Sequence, residues 1–152
     1  MLLTTFLALG VFDADVPTGD RGMVTPASRT LTLVRDAPRL SVVAAEGMDP
    51  SSVLDYNFAL SQLLEPEETF RNVVFAIPPE SAILSFRIMV AEPHLAHWVE
   101  PELMRLWLGV DADAQGSGAW AGQGTLCGIE FTATTNKDRR VQATAGVRVA
   151  QK

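Results

Sequence analysis

The feature that most constrains the fold of this sequence is a strict alternation of side chains near its end. Apolar residues occupy every second position of residues 127–133 and again of residues 141–149. Successive side chains of a β-strand point to opposite faces, so this period predicts two strands that each bury one face. The polar residues 136–139 between them are typical of a hairpin turn. We therefore predict a long antiparallel hairpin packed against a core.

Shorter alternating runs precede this hairpin. Residues 29–35 and 40–45, separated by a turn at Asp36-Ala37-Pro38, predict a small hairpin. Residues 53–64 begin with period two and end with helical spacing, which leaves strand and helix both open. Three further strands are predicted at residues 69–77, 83–90 and 103–108. About seven short strands with frequent turn signals indicate an all-β sandwich.

The N-terminal segment has a different character. Its first twelve residues form an apolar run that no Lys or Arg precedes and that leads into Asp13 and Asp15. A secretory signal is therefore the weaker interpretation, and the run is shorter than the roughly 20 residues that cross a bilayer. We expect this apolar arm, followed by the Pro-, Gly- and Asp-rich residues 13–26, to dock on its own domain or on a neighbouring subunit.

Composition limits the classes of partner. The chain has 152 residues, 47% of them hydrophobic, and its 12 basic and 18 acidic residues give a net charge of -6. This charge argues against nucleic acid as a partner, because phosphate neutralisation needs basic residues. The single cysteine, Cys127, excludes an internal disulfide and a multi-cysteine zinc site.

Two groups of residues resemble metal sites. His94 and His97 lie near Glu92 and Glu100, but Pro93 and Pro101 would interrupt the helix that such a site needs, so a solvated loop is expected. Residues 111–116 resemble the first half of a calcium loop, but the twelfth position is Gly122 instead of Glu, which favours a surface loop. No metal or other cofactor is expected.

The candidate catalytic side chains also have simpler interpretations. Ser117 lacks the strand-to-helix turn of a nucleophile elbow, and Cys127 lies on the apolar face of a strand without a neighbouring His. Glu65, Glu67 and Glu68 surround a proline, which is typical of a solvated turn. We therefore expect no catalytic residues and no enzymatic activity.

Several short motifs, in order along the chain, resemble a known family. Residues 49–61 read Asp-Pro-Ser-Ser-Val-Leu-Asp-Tyr-Asn-Phe-Ala-Leu-Ser, residues 68–70 read Glu-Thr-Phe, and residues 75–78 read Phe-Ala-Ile-Pro. Trp107-Leu108 is followed by a Gly-rich loop, and residues 132–140 form a Thr-rich turn that ends in two arginines. With the Arg-Thr-Leu-Thr-Leu of residues 29–33, this order resembles the small immunoglobulin-like virion proteins of tailed bacteriophages, often labelled fibre-tail adaptor proteins.

The chain departs from that family at identifiable positions. Leu60 stands where the family usually has Trp, Glu67 replaces a turn Gly, and Asp138 replaces the Gly of the last hairpin. Residues 111–122 look like an insertion in the Gly-rich loop. These departures affect the loops more than the strands.

The resemblance implies an immunoglobulin-like β-sandwich at residues 49–152, preceded by a hairpin extension at 29–48 and an arm at 1–28. It implies a non-enzymatic virion structural protein, a tail or fibre-tail adaptor component, whose partners are other copies of itself and other virion proteins. From the net charge and the short apolar run, we expect neither nucleic acid nor a membrane as a partner. A capsid decoration, or cement, protein is the alternative. The residues expected at subunit interfaces are Leu2, Leu3, Phe6, Leu7, Phe12 and Trp120.

Trp120 bears both on how its loop is ordered and on a third hypothesis for the function, a carbohydrate-binding module. It is a large apolar ring within a Gly-rich loop, whose ordering costs conformational entropy. We expect the loop to order by placing Trp120 against a neighbouring subunit or against the arm, with burial in its own sandwich as the alternative. Of Trp98, Trp107 and Trp120, only Trp120 lies where it could stack on a sugar, as a carbohydrate-binding module would require.

Overall fold

The long C-terminal hairpin forms as its alternation predicts. The computed structural model describes residues 25–152. Strand β8 spans Thr125–Thr135 and strand β9 spans Arg140–Val149, and the two pair antiparallel with Cys127 opposite Val147. The alternating apolar side chains of both strands are buried in one core.

Seven further strands lie in residues 25–124. They are β1 (Thr30–Thr32), β2 (Val42–Val43), β3 (Leu54–Ala59), β4 (Phe70–Ala76), β5 (Phe86–Ile88), β6 (His97–Glu100) and β7 (Leu103–Val110). The first sheet has the order β1-β3-β7-β5, with β6 also paired to β7, and the second has the order β2-β9-β8-β4. The prediction of an all-β sandwich is confirmed.

The core lies between the inner faces of the two sheets. Phe58 of the first sheet packs against Phe75 of the second, with ring centroids 5.5 Å apart, and Phe131 continues the row 5.2 Å from Phe75. Tilted aromatic pairs at this separation bury large area and add a favourable ring interaction. These rings are fully buried and hold the sheets together.

The predicted hairpin at residues 29–48 is wrong. Strand β1 pairs parallel with β3 in the first sheet, whereas β2 pairs parallel with β9 in the second. Alternation predicts which face of a strand is buried but not its neighbour, and a two-stranded hairpin alone is barely stable in water. Each short strand instead extends one sheet of the sandwich, with Leu31 of β1 buried and Val42 of β2 partly buried against the core. Residues 29–48 are therefore part of the sandwich and not an extension of it.

The ambiguous residues 53–64 contain both predicted periods. Their first half is strand β3, and the helical spacing that follows is a 3-10 turn at Ser61–Leu63. The predicted strand at residues 83–90 is shorter than expected, because a helical turn, α1 (Pro79–Ala82), comes directly before it.

The acidic run around Pro66 is only in part the solvated turn that we expected. Glu67 is exposed, but Glu68 is 5% exposed and its carboxylate is held by Arg139, whose Nη2 lies 2.6 Å from Oε1. The Thr135 hydroxyl donates to Glu68 Oε2 at 2.6 Å. These contacts join the turn before β4 to the hairpin turn of β8 and β9. The hydrogen bond from Arg139 lowers the pKa of Glu68 from its ordinary value of 4.5 to about 2.

Substituting Glu68→Gln tests this contact through pH. Because the pKa of Glu68 is lower in the folded chain, its stabilising effect is present above about pH 5 and is lost as the pH falls towards about 2. We expect the free energy of unfolding of the wild type to exceed that of the variant near neutral pH, and the difference to shrink over this interval. Urea titrations followed by tryptophan fluorescence measure it.

The exposed neighbour provides the control, since Glu67→Gln should change the unfolding free energy little at any of these pH values. A wild type and a Glu68→Gln variant that lose stability in parallel on acidification would contradict the role given to Glu68.

Candidate interaction surfaces

Five of the six predicted interface residues lie outside the described residues. They are Leu2, Leu3, Phe6, Leu7 and Phe12, and their assignment to an interface stays a prediction. The sixth, Trp120, lies within the described part of the chain.

The interface prediction for Trp120 is wrong. The side chain is fully buried within its own chain, and its Nε1 donates to the carbonyl oxygen of Ala114 at 2.8 Å. Two 3-10 turns, Ala112–Ala114 and Gly118–Trp120, give the loop its own hydrogen-bonded structure. Packing of the ring on its own sandwich therefore offsets the entropy lost when the glycines become ordered, and it does so without a neighbouring subunit. The carbohydrate hypothesis loses its proposed stacking platform for the same reason.

The two histidines are not in one solvated loop. His97 lies in β6 opposite Arg105 and is 8% exposed, whereas His94 packs against Trp107 with ring centroids 4.7 Å apart. The expectation of a solvated loop is wrong for His97, because β6 forms between the two prolines. Within residues 25–152, no group of three or more His, Cys, Asp or Glu residues is placed to hold a metal ion.

Cys127 lies on the inner face of β8, as its position in the alternation predicts. It is fully buried, and burial raises the pKa of its thiol to about 12. A thiol with this pKa stays protonated near neutral pH, which makes it a poor nucleophile.

A cluster of charged side chains holds the start of the described chain against the first sheet. The Thr25 hydroxyl donates to Asp55 of β3, and Arg29 Nη2 lies 3.2 Å from the same carboxylate. Arg105 of β7 is 1% exposed, and its Nε donates to Asn57 Oδ1 at 3.3 Å and lies 3.9 Å from Asp55 Oδ2. Buried charges need such partners, so this cluster fixes where the N-terminal segment meets the sandwich.

Arg29 also binds the bend that follows β2. Arg29 Nη1 lies 3.0 Å from Glu46, next to β2, and the Ser28 hydroxyl donates to the same carboxylate at 2.8 Å. The Tyr56 hydroxyl, from β3, donates to the carbonyl oxygen of Glu46 at 3.0 Å. These hydrogen bonds from Ser28 and Arg29 lower the pKa of Glu46. Residues 28–29 and 46 thus close one side of the sandwich.

Two surface grooves among residues 25–152 have charged and apolar lining residues. One, with a volume of about 320 Å³, is lined by β5 and the loop between β5 and β6. Its charged side chains are Arg87, Glu92 and Asp111. The other, of about 290 Å³, lies beside β2, and its charged side chains are Arg148 and Lys152. Large apolar side chains are exposed near both grooves: Val90 at 66% and Leu95 at 41% near the first, and Val43 at 43% beside the second.

Sequence reasoning missed the groove beside β2 and the Arg29 cluster. The groove joins residues more than a hundred positions apart in the chain, which no local pattern can reveal. The cluster had a signal, because Arg29 and Asp55 both lie in the motifs that resemble the phage family.

Comparison with known proteins adds no assignment. No family model, no curated protein and no solved structure matches the chain. Among residues 25–152, no helix has the length and apolar character to cross a membrane.

Trp120→Ala should destabilise the folded monomer by about 3–5 kcal/mol, because it leaves a large cavity and removes the hydrogen bond from the indole to Ala114. Trp120→Phe should cost less, since it keeps most of the apolar volume. Equilibrium unfolding in urea measures both changes.

Gln123→Ala is the matched control, because its exposed side chain belongs to the same loop, and it should stay within about 0.5 kcal/mol of the wild type. A Trp120→Ala variant as stable as this control would show that the ring is not part of the core.

Proposed function

We propose that the chain is a non-enzymatic structural protein of a bacteriophage virion, a tail or fibre-tail adaptor component that occupies a fixed place in a symmetric assembly. The observation that carries this proposal is the order of the family-like motifs through residues 29–150. Each motif is short, and their shared order over more than a hundred residues gives the resemblance its weight.

The contacts of the motif residues support a scaffolding role. Asp55 and Tyr56 join β3 to Arg29 and Glu46, and the Thr135 hydroxyl joins the last hairpin to Glu68. These side chains are occupied in holding the sandwich together. A rigid body of this kind suits a protein that acts by position.

The apolar arm supplies the adhesive surface in this proposal. Burial of apolar area contributes about 25 cal/mol per Å², so insertion of several large side chains would contribute several kcal/mol per copy. This contribution is repeated at each copy of a symmetric assembly. The sandwich positions the arm, and the arm binds the neighbouring subunit.

Two positions in the virion fit such a protein. We favour the tail on the family resemblance, and capsid decoration is the alternative, since an acidic sandwich with a docking arm would also suit a shell. Copy number separates them: a small multiple of three or six per particle indicates the tail axis, and roughly hundreds indicate an icosahedral shell. Quantitative mass spectrometry of purified particles gives this number.

Deletion of residues 1–12 tests the role of the arm. We expect the truncated chain to fold with a free energy of unfolding near that of the wild type, because the described residues 25–152 form a continuous core cluster of their own, and to fail to join particles. Incorporation is measured by supplying a tagged variant during phage growth and assaying purified particles.

Point variants supply a sharper comparison. Phe6→Asp with Leu7→Asp should abolish incorporation, whereas Thr4→Asp with Thr5→Asp adds the same charge without removing an apolar side chain and should reduce it much less. Normal incorporation of the truncated chain would refute the proposed role of the arm.

A further inference from the structure

The groove beside β2 is apolar except at one end. Its volume is about 290 Å³, and its lining residues are Val43, Ala44, Ala45, Gly47, Met48, Arg148, Ala150 and Lys152. The two cations are the only charged side chains among them. Asp49 lies close by, where its carboxylate accepts from the backbone N–H of Lys152 at 2.9 Å and from that of Ser51 at 2.8 Å.

The backbone along this groove is the open edge of the second sheet. Ala44 N donates to the carbonyl oxygen of Gly146 at 3.0 Å, and Met48 N donates to that of Arg148 at 2.9 Å. Because alternate residues of a strand face opposite neighbours, Val43 of β2 directs its backbone groups away from β9. Within residues 25–152, no strand pairs with that side of β2. An extended segment can add to an edge of this kind as a further strand.

The N-terminal segment joins the sandwich beside this edge. The N–H of Glu46, between groove residues Ala45 and Gly47, donates to the carbonyl oxygen of Ser28 at 2.9 Å. From there, the nine residues 16–24, between the docked residues and the described chain, can span at most about 30 Å. This length is enough to carry an apolar segment from one sandwich to the same edge of an adjacent copy.

The charges of the arm match this groove and not the other one. The apolar residues of the arm are followed by Asp13 and Asp15, which would meet Arg148 and Lys152 at the cationic end. The groove between β5 and β6 has two carboxylates, and its Arg87 already lies 3.1 Å from Asp111. An acidic segment would be repelled there.

We propose that residues 2–15 of one copy add as a strand to the open edge of β2 in a second copy, with apolar side chains in the groove and Asp13 and Asp15 facing Arg148 and Lys152. This inference rests on the proposed assembly role, and it makes a second copy of this chain the partner of the arm.

Charge reversal in the full chain tests the contact. Arg148→Glu with Lys152→Glu should weaken self-association about tenfold, since each attractive pair becomes repulsive. Arg140→Glu with Lys137→Glu is the matched control, because these exposed cations lie at and just before the opposite end of β9 and should leave self-association unchanged. Sedimentation velocity over a range of protein concentrations measures the dissociation constant.

The apolar part of the groove has its own pair of variants. Val43→Asp should weaken self-association, whereas Val34→Asp, at a site of similar exposure away from the groove, should not. Circular dichroism of each variant confirms that the sandwich is folded.

Mixing two defective variants tests whether the arm of one copy binds the groove of another copy. The double variant Asp13→Lys with Asp15→Lys should self-associate weakly when alone. Association should recover when it is mixed with the double variant Arg148→Glu with Lys152→Glu, because the arm of each variant then has a charge opposite to that of the other variant's groove. A full chain that stays monomeric, or a mixture that recovers nothing, would overturn the inference, since the arm would then dock on its own sandwich or on another protein. If arm deletion still abolished incorporation in that case, the proposed function would stand.

Discussion

The crossing of the chain from the first sheet to the second, between β1 and β2, is the constraint on which the rest of the structure depends. Because β1 lies beside β3 and β2 lies beside β9, one short segment forms an edge of both sheets. Arg29 strengthens this crossing by binding Asp55 of β3 in the first sheet and Glu46 in the bend that follows β2. The crossing closes one side of the core and places the N-terminal segment next to an open edge.

The alternation in the sequence predicted which residues form the core better than it predicted which strands pair with each other. Alternation located β4, β7, β8 and β9, because burial of one face dictates the period whatever the neighbouring strand is. It could not predict the separation of β1 from β2, since strand pairing depends on long-range contacts. Strand β6 was missed because it has only four residues, His97–Glu100, which is too short for a visible alternation, and prolines lie on both sides of it.

The candidate sites were harder to predict, because their chemistry depends on distant partners. Glu68 looked like a member of a solvated acidic run, but Arg139 is 71 residues away in sequence and 2.6 Å away in space. The glycines around Trp120 indicated an entropic cost of ordering but not the two turns and the Ala114 carbonyl that offset it. Burial of Cys127 was predictable because it depends only on the face of one strand.

In the proposed function, the sandwich is a rigid carrier for an apolar arm that binds another subunit. Cryo-electron microscopy of purified phage particles assembled with this chain tests that proposal most directly. We expect the sandwich at a fixed, symmetry-related position, with residues 2–12 buried against a neighbouring subunit. Particles without this chain, or a sandwich whose own arm covers its own surface and touches no other subunit, would contradict the proposal.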